Sequence, residues 1–430
     1  MSAARPARAI TVDPDATLLD GERTAELPDG LGSLPNLLAR VSRVFRPYGE
    51  GVLVLTRDAM DALDFPAELP RTGLADHPLL TAPRAAGWRV SALGPWTTFW
   101  RPERSEPAVH VLAHPWRRPD APLPLEDPWE ASWYLRRYAE LAGGAYHATA
   151  GVAGLGLLRD RFCPRSRPFW TPPWKAELLK ATRNAEADLL WSTSTTPAGG
   201  HLHTYDANVM YLSAAALVEV ASGELKHTGA IGADPSRPGY WRIGWPAWNL
   251  PHVPNPLGWR NRKGSRSEAV WITSPTLKLL CQLAEEGLTG APEIRDSWTA
   301  DTGHRVLRTW AEQLGGAIDT ARESAEPGDD RVLPALKATY REAVGMLDRD
   351  TGRMHRPDWR HAVIGLARAN LWRKVWRVGT RENRWPVQVK TDAVTYWSDQ
   401  PDPALACPVL LQLGTGRGEF KIQPPEAAAA

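Results

Sequence analysis

Short apolar runs and two-residue alternation dominate the first part of the chain. GVLVLTRDAM, GWRVSALGPWTTFWR and PAVHVLAHPW read as strands with polar, Pro-rich connections between them. Apolar positions three and four apart predict a helix over Trp129–Gly144 that ends in a Gly pair, and a second over Pro173–Leu190. The loop STSTTPAGG leads into HTYDANVMYLSAAA, where a hydrophobic strand ends at Asp206 and a run of small residues starts a helix. Gly229–Ser267, rich in Pro, Gly, Trp and Arg, predicts an irregular or β-rich insertion. Helical periodicity returns over Thr276–Glu286 and His304–Glu323, and the turn-forming ESAEPGDD separates the latter from a further helix, Leu333–Leu347. Two antiparallel helices with a polar tip make a projecting hairpin. In PVQVKTDAVTYWSD, Val387, Val389 and Thr391 alternate with Gln388, Lys390 and Asp392, which predicts a β-hairpin with Asp392 at its tip. There are no internal repeats, and the terminal AAAA is a trivial tail.

Composition narrows the class. With 430 residues, 43% apolar and 23% charged, the chain has material for two or three globular domains and is neither disordered nor membrane-bound. It has no uncharged apolar run of about 18 residues, so neither a spanning helix nor a membrane partner is expected. The start, MSAARPARAITVDPD, is basic but lacks the apolar core of a signal peptide, which predicts a cytoplasmic protein. Cys163, Cys281 and Cys407 are too far apart for a disulfide framework or a zinc site and read as small hydrophobes in a reducing compartment. A net charge of +2 does not by itself mark a nucleic-acid binder. Arginine outnumbers lysine, however, and crowds the segment from Arg341 to Arg384. Guanidinium groups suit bidentate phosphate contacts and base stacking, although a GC-rich genome produces the same bias. The 21 tryptophans read as core or half-buried residues, or as base-stacking surfaces where exposed.

The candidate chemistry lies in two carboxylates. Asp206 at a strand end and Asp392 at a hairpin tip can jointly hold Mg²⁺ (or Mn²⁺) if their strands are neighbours, because this hard ion prefers oxygen and keeps water and substrate phosphates in its shell. With two such ions, the two-metal-ion arrangement, one activates an attacking hydroxyl and the other steadies the leaving pyrophosphate. Taken singly, each fits a turn or cap residue. Between them, in LPALKATYREAVGML, Lys337 and Arg341 are one helical turn apart, placed either for a triphosphate or as a solvated basic face. His201 and His203 face one side of a strand with no third ligand near in sequence and read as strand-edge residues. Asp58, Asp61 and Asp64 read as surface charges.

The order of these features resembles the three motifs of family B DNA polymerases, and most closely the protein-primed branch. That family's first motif is roughly YDxNSLYP, matched here by Tyr205, Asp206, Asn208 and Tyr211. Lys337 and Gly345 keep the spacing of the second, KxxxNSxYG, and TDA at Thr391–Ala393 keeps the second Asp of the third, DTDS. HAVIGLARANLWRKVWRVG is similar to the helix beneath the catalytic strands, and GEFKIQ to the short KxY element through Lys421. The resemblance spans Tyr205 to Gln423.

What it implies is an α+β polymerase. Segment 1–195 would be a strand-rich N-terminal domain, RNase H-like by position and without a recognisable Asp-x-Glu of the exonuclease. Segment 196–300 would be the first part of an antiparallel palm with packed helices and a Pro/Trp-rich insertion. Segments 301–347 and 348–430 would be helical-hairpin fingers and the second part of the palm. The resemblance makes Asp206 and Asp392 the metal ligands, with the Ala207 carbonyl as a third donor and Asn208 in the nucleotide site. Tyr211 would be the gate beneath the sugar, and Lys337 with Arg341 would contact the nucleotide phosphates. Lys421, Arg368 and Lys390 would meet DNA. The partners would be DNA, deoxynucleoside triphosphates and a terminal priming protein, serving an actinobacterial linear replicon or mobile element. The sequence departs from the family at Arg341, Glu342 and Val344 in the second motif, at Lys390 and Ala393 in the third, and at Gln423 in the KxY element. The strand-displacement insertion and the thumb also have no evident counterpart. A catalytically weak or inactive DNA-binding protein on a polymerase scaffold, recognising telomere ends, is the alternative; a nucleotidyltransferase that labels a protein hydroxyl is a third.

Overall fold

The structure, a computed structural model of the chain, describes residues 7–14, 17–20, 23–26, 30–72, 74–101, 106–162, 172, 174–186, 189–194, 199–257, 268–349 and 354–424. Parts of the STSTTPAGG loop and of the 229–267 insertion, and Cys163, lie outside them. The protein is a mixed α+β chain in two compact units. One is Met1–Phe162 with Gln313–Met346, the other Cys163–Glu312 with Leu347–Ala430.

In the first unit, β1 (Arg8–Val12), β2 (Thr17–Asp20), β3 (Arg23–Glu26), β4 (Glu50–Leu55), β5 (Arg89–Val90), β6 (Trp96–Trp100) and β7 (Ala108–Ala113) form one sheet, ordered β3-β2-β1-β4-β7-β6-β5. β1, β4 and β7 run parallel, and the outer strands pair antiparallel. Parallel neighbours need crossovers. These contain α1 (Leu34–Phe45) before β4, and α2 (Arg57–Ala62) and α3 (Pro78–Ala85) after it. Ile10, Leu53, Val109 and Val111 share a buried cluster with Leu37, Leu38, Val41 and Phe45 of α1. The alternate residues of the same strands are covered by α4 (Pro128–Ala142), where Thr11 Oγ1 donates to the Pro128 carbonyl at 2.7 Å. Burial on both faces explains why these strands read as continuous apolar runs. Asp127 caps α4 through the Trp129 and Glu130 amides, and Gly143 closes it in the left-handed region, as the Gly pair predicted.

The helices α5 (Ala150–Gly156) and α10 (Asp329–Met346), and most of α9 (Arg308–Glu323), complete this unit. α10 docks on α4 and α5 through groups that sequence spacing does not reveal. Arg137 grips Asp329 with two hydrogen bonds of 2.7 and 2.6 Å, and the Tyr138 hydroxyl meets Thr339 Oγ1 at 2.7 Å. Gly154 lets the helices close: a Cβ there would lie 2.5 Å from the Thr339 carbonyl oxygen and 2.7 Å from the Ala343 Cβ.

The second unit has two antiparallel sheets. β10 (Lys226–His227), β13 (Ile294–Thr299), β11 (Gly239–Gly244) and β12 (Ala269–Thr273) form one, in that order. The other is ordered β16 (Phe420–Ile422), β9 (His201–Ala207), β15 (Ala393–Ser398), β14 (Gln388–Lys390) and β8 (Leu190–Ser192). α6 (Ala176–Thr182), α7 (Met210–Leu217), α8 (Ser274–Glu285) and α11 (Pro357–Glu382) complete it. α11 packs on α7, α8 and β12. Its entry is anchored by Arg356, which is fully buried and donates to both Asp358 oxygens (2.9 and 2.7 Å) and to the Ala221 carbonyl at 2.5 Å.

The helix predicted over Pro173–Leu190 stops at Thr182. Glu186 takes a left-handed conformation (φ 52°) and turns its carboxylate inward. There it accepts from the Thr273 amide at 2.7 Å and the Thr273 hydroxyl at 2.8 Å, and pairs with Arg368 at 3.1 Å. Tertiary partners override the local period. Among the described residues, no helix is long and apolar enough to cross a membrane.

Candidate active site

Alternation along β9 decides which side chains are accessible. His203, Tyr205 and Ala207 turn inward and are buried, whereas Leu202, Thr204 and Asp206 face the open side of the sheet. β9 is flanked by β15 and β16 in a register that sets Asp206 opposite Ala393 on one side and Lys421 on the other. Asp392 sits at the tip of the β14–β15 hairpin, as its alternation predicted, beside Thr391 with φ 58°. The hairpin tip is fastened twice: the Thr391 amide donates to the Leu189 carbonyl at 2.8 Å, and the Ala207 amide to the Asp392 carbonyl at 3.0 Å. The second bond ties the strand end carrying Asp206 to the tip carrying Asp392.

The two carboxyl groups are close enough for the charge of Asp206 to act on Asp392. Burial pushes the Asp392 carboxyl above the ordinary carboxylate range, the negative charge of Asp206 pushes it further, and Lys421 opposes both. Asp206 uses its oxygens differently. Oδ2 lies 2.7 Å from the Lys421 ammonium, while Oδ1 is buried with no hydrogen-bond partner. A buried carboxylate oxygen without a partner, in a site that holds a second carboxyl group, calls for a proton or a cation.

The donor set fits a hard divalent ion. Among the described residues there is no group of three or more His, Cys, Asp or Glu side chains able to hold a metal. The protein therefore offers two carboxylates and nearby backbone carbonyls. Mg²⁺ is commonly held by one or two carboxylates, with water and substrate phosphates completing its shell. His201 and His203 stay strand residues: their rings are 6.0 Å apart, and His203 Nε2 is engaged with the Gln400 carbonyl at 2.7 Å.

Val209 and Thr391, neither of them glycine, adopt φ values of 45° and 58° within three residues of Asp206 and beside Asp392. Such conformations are unfavourable for L-residues, above all β-branched ones, and persist where surrounding structure enforces them. Val209 turns the chain from β9 into α7, whose first turn carries the half-buried Tyr211.

The other expected residues are placed as follows. Asn208 is committed to the fold: its side-chain amide donates to the Gly414 carbonyl and its backbone amide to the Glu419 carbonyl, both at 2.8 Å. It holds the 414–419 turn that presents β16, which leaves that amide group occupied rather than open to a nucleotide. Arg368 is corrected outright. It is 4% exposed, paired with Glu186 and bonded to the Pro256 carbonyl at 2.7 Å, so it is not available to DNA. Lys390 is exposed on β14, and Lys421 is half-exposed on the edge strand β16. Lys337 and Arg341 belong to the other compact unit, on α10, with Lys337 half-buried and Arg341 exposed. Glu342 faces α5, where its Oε2 accepts from the Gly151 amide at 3.1 Å, and Val344 is buried. Asp58, Asp61 and Asp64 are exposed, as expected of surface charges.

Two features escaped the sequence reading. One is the Lys421–Asp206 ion pair, which follows from register. The other is a Thr204–Thr395 hydroxyl contact of 2.9 Å on the strand pair that carries Asp206. Period-two alternation from Asp206 already places Thr204 on the open face.

Comparison with known proteins agrees with this geometry at the level of the fold. Phi29 DNA polymerase complexed with primer-template DNA and incoming nucleotide substrates superposes with a TM-score of 0.50, covering 97% of this chain and 84% of that one at 10% identity. The scaffold is DNA polymerase-like. The same polymerase complexed with primer-template DNA alone gives a TM-score of 0.49 at 10% identity, covering 96% and 84%. A family described as a domain of unknown function (DUF8841) matches residues 38–142, and no curated protein matches the chain. On this polymerase-like scaffold, the unusual Glu342 has a structural task at the start of α5.

Proposed function

We propose that the chain is a template-directed DNA polymerase of the protein-primed type, transferring nucleotides with the help of Mg²⁺ or Mn²⁺ held by Asp206 and Asp392. The observation that carries this reading is the convergence of the two acids from neighbouring strands, with Asp206 Oδ1 buried and without a hydrogen-bond partner. A polymerase-like fold over nearly the whole chain supports it. In this reading the β16-β9-β15-β14-β8 sheet is the palm and α9–α10 the fingers. The run β3-β2-β1-β4-β7, an antiparallel β3-β2-β1 meander continued by the parallel β4 and β7 within the seven-stranded sheet, supports an RNase H-like origin for the first domain.

Bound metal would neutralise charge on the reacting phosphoryl group and help generate the attacking alkoxide. The chain's own residues position the reactants. Asp206 and Asp392, with the Ala207 carbonyl, hold the cation site on the open face. Tyr211 supports the incoming sugar, and Lys390 and Lys421 face the nucleic-acid strand. A primer 3′-hydroxyl, or a hydroxyl of a terminal protein, attacks the α-phosphorus and pyrophosphate leaves. Primer extension run beside protein labelling, in Mg²⁺ or Mn²⁺, tests this. Asp206→Ala and Asp392→Ala are each expected to lower incorporation by about 10²–10³ or more, the scale of losing a central electrostatic group. Wild-type incorporation by both variants would refute the assignment.

A second reading is a DNA-binding protein on a polymerase scaffold, favoured by the lysine already resting on Asp206. It differs in outcome: no incorporation by the wild type, and salt-sensitive DNA binding that survives loss of both carboxylates.

A further inference from the structure

We propose that Lys421 is a displaceable resident cation of the carboxylate pair, holding Asp206 while no metal is bound and giving way when a divalent cation enters. The inference rests on reading Asp206 and Asp392 as a cation site.

Three observations lead to it. The Lys421 ammonium is 2.7 Å from Asp206 Oδ2, so one of the two oxygens is already neutralised by the protein. The other, Oδ1, is buried without a partner, beside Asp392. The two side chains also differ in freedom: that of Asp206 is 13% exposed, whereas that of Lys421 is 54% exposed on a three-residue strand at the sheet edge. The carboxylate is held in place and the ammonium can leave.

Charge supplies the driving force. Two carboxylates and one ammonium leave the site with a single net negative charge. A dication bound to the pair would sit within a few ångströms of the ammonium, where like charges repel strongly in a partly buried setting. A lysine suits this exchange, being a point charge on a flexible stem, whereas arginine would grip a carboxylate through a fixed fork. Once displaced, the ammonium stays on the edge strand next to the cation and is free to pair with a phosphate oxygen. Metal entry and phosphate engagement are then linked through one side chain, and linkage is reciprocal.

The test uses Mn²⁺ alone, titrated into the full chain and followed by electron paramagnetic resonance. Wild type is compared with Lys421→Met, Lys421→Gln and Asp206→Asn. Displacement requires both Lys421 variants to bind Mn²⁺ about tenfold more tightly than wild type, a typical coupling between competing sites, and Asp206→Asn to lose binding. A lysine that only pins β16 to the sheet would give variants binding no more tightly than wild type, while Asp206→Asn still lost the ion. That result overturns the displacement and leaves the cation site standing. Mn²⁺ binding that is absent throughout, or indifferent to Asp206→Asn, removes the cation site and the proposal together. Thermal melts confirm that the variants are folded when titrated.

Discussion

Asp206 and Asp392 impose opposite demands on the site. Brought together on neighbouring strands they repel; Lys421 offsets this on one side, and on the other burial, added to by the charge of Asp206, raises the proton affinity of Asp392. The consequence for stability has a definite sign. Between the ordinary value of 3.8 and the higher folded value, the folded chain binds more protons at Asp392 than the unfolded chain does. Stability therefore falls as pH rises through that window, and the full penalty is present above it. Asp392→Asn, uncharged at every pH, is expected to melt higher than wild type at neutral pH and to lose the advantage below the window. Melting curves across that range check it; parallel behaviour of the two chains would show that burial and the Asp206 charge do not raise the proton affinity of Asp392. Alternation placed each acid at a strand end or hairpin tip, but their pairing was read from the order of motifs that resembles family B polymerases, since periodicity does not say which strands are neighbours. The burial of Arg368 was not. A basic residue on a long helix gives no sign of its facing when α11 buries Trp359, Val363, Leu371, Trp372 and Val375 around most of its circumference.

At the scale of elements, the α9–α10 hairpin was predicted from period and turn composition, and its helices are present with shifted ends. Its anchorage was hidden, since Arg137–Asp329 and Gly154–Thr339 join residues far apart in sequence. Asp329 is 1% exposed, so Arg137→Met would strand a buried carboxylate at the start of α10. The expected loss is about 3–5 kcal/mol, read by urea unfolding. Gly154→Ala forces a methyl group into the α5–α10 contact and is expected to cost about 1–3 kcal/mol. Unchanged unfolding midpoints in both variants would mean that α10 is not held by these contacts. Strands β1 to β3 went unread, being short and without strong alternation. They extend the sheet from β4, β1 pairing with it in parallel and β2 and β3 following antiparallel. The overlong helix before β8 failed for a related reason: Glu186 finds Thr273 and Arg368 across the unit.

Over the whole molecule, composition proved weakly informative, with a net charge of +2 that favoured no partner. The order of short motifs carried more, and a TM-score of 0.50 at 10% identity shows a polymerase-like fold that overall sequence identity scarcely betrays. Fold alone does not make an enzyme, because function resides in the site. The central claim is that one divalent cation bridges two acids brought together by the β9–β15 pairing. Diffraction at the manganese edge from crystals soaked in Mn²⁺ addresses it directly. The account expects an anomalous peak about 2.1 Å from Asp206 Oδ1 and from an oxygen of Asp392. A saturated soak with no peak between those carboxylates would contradict it.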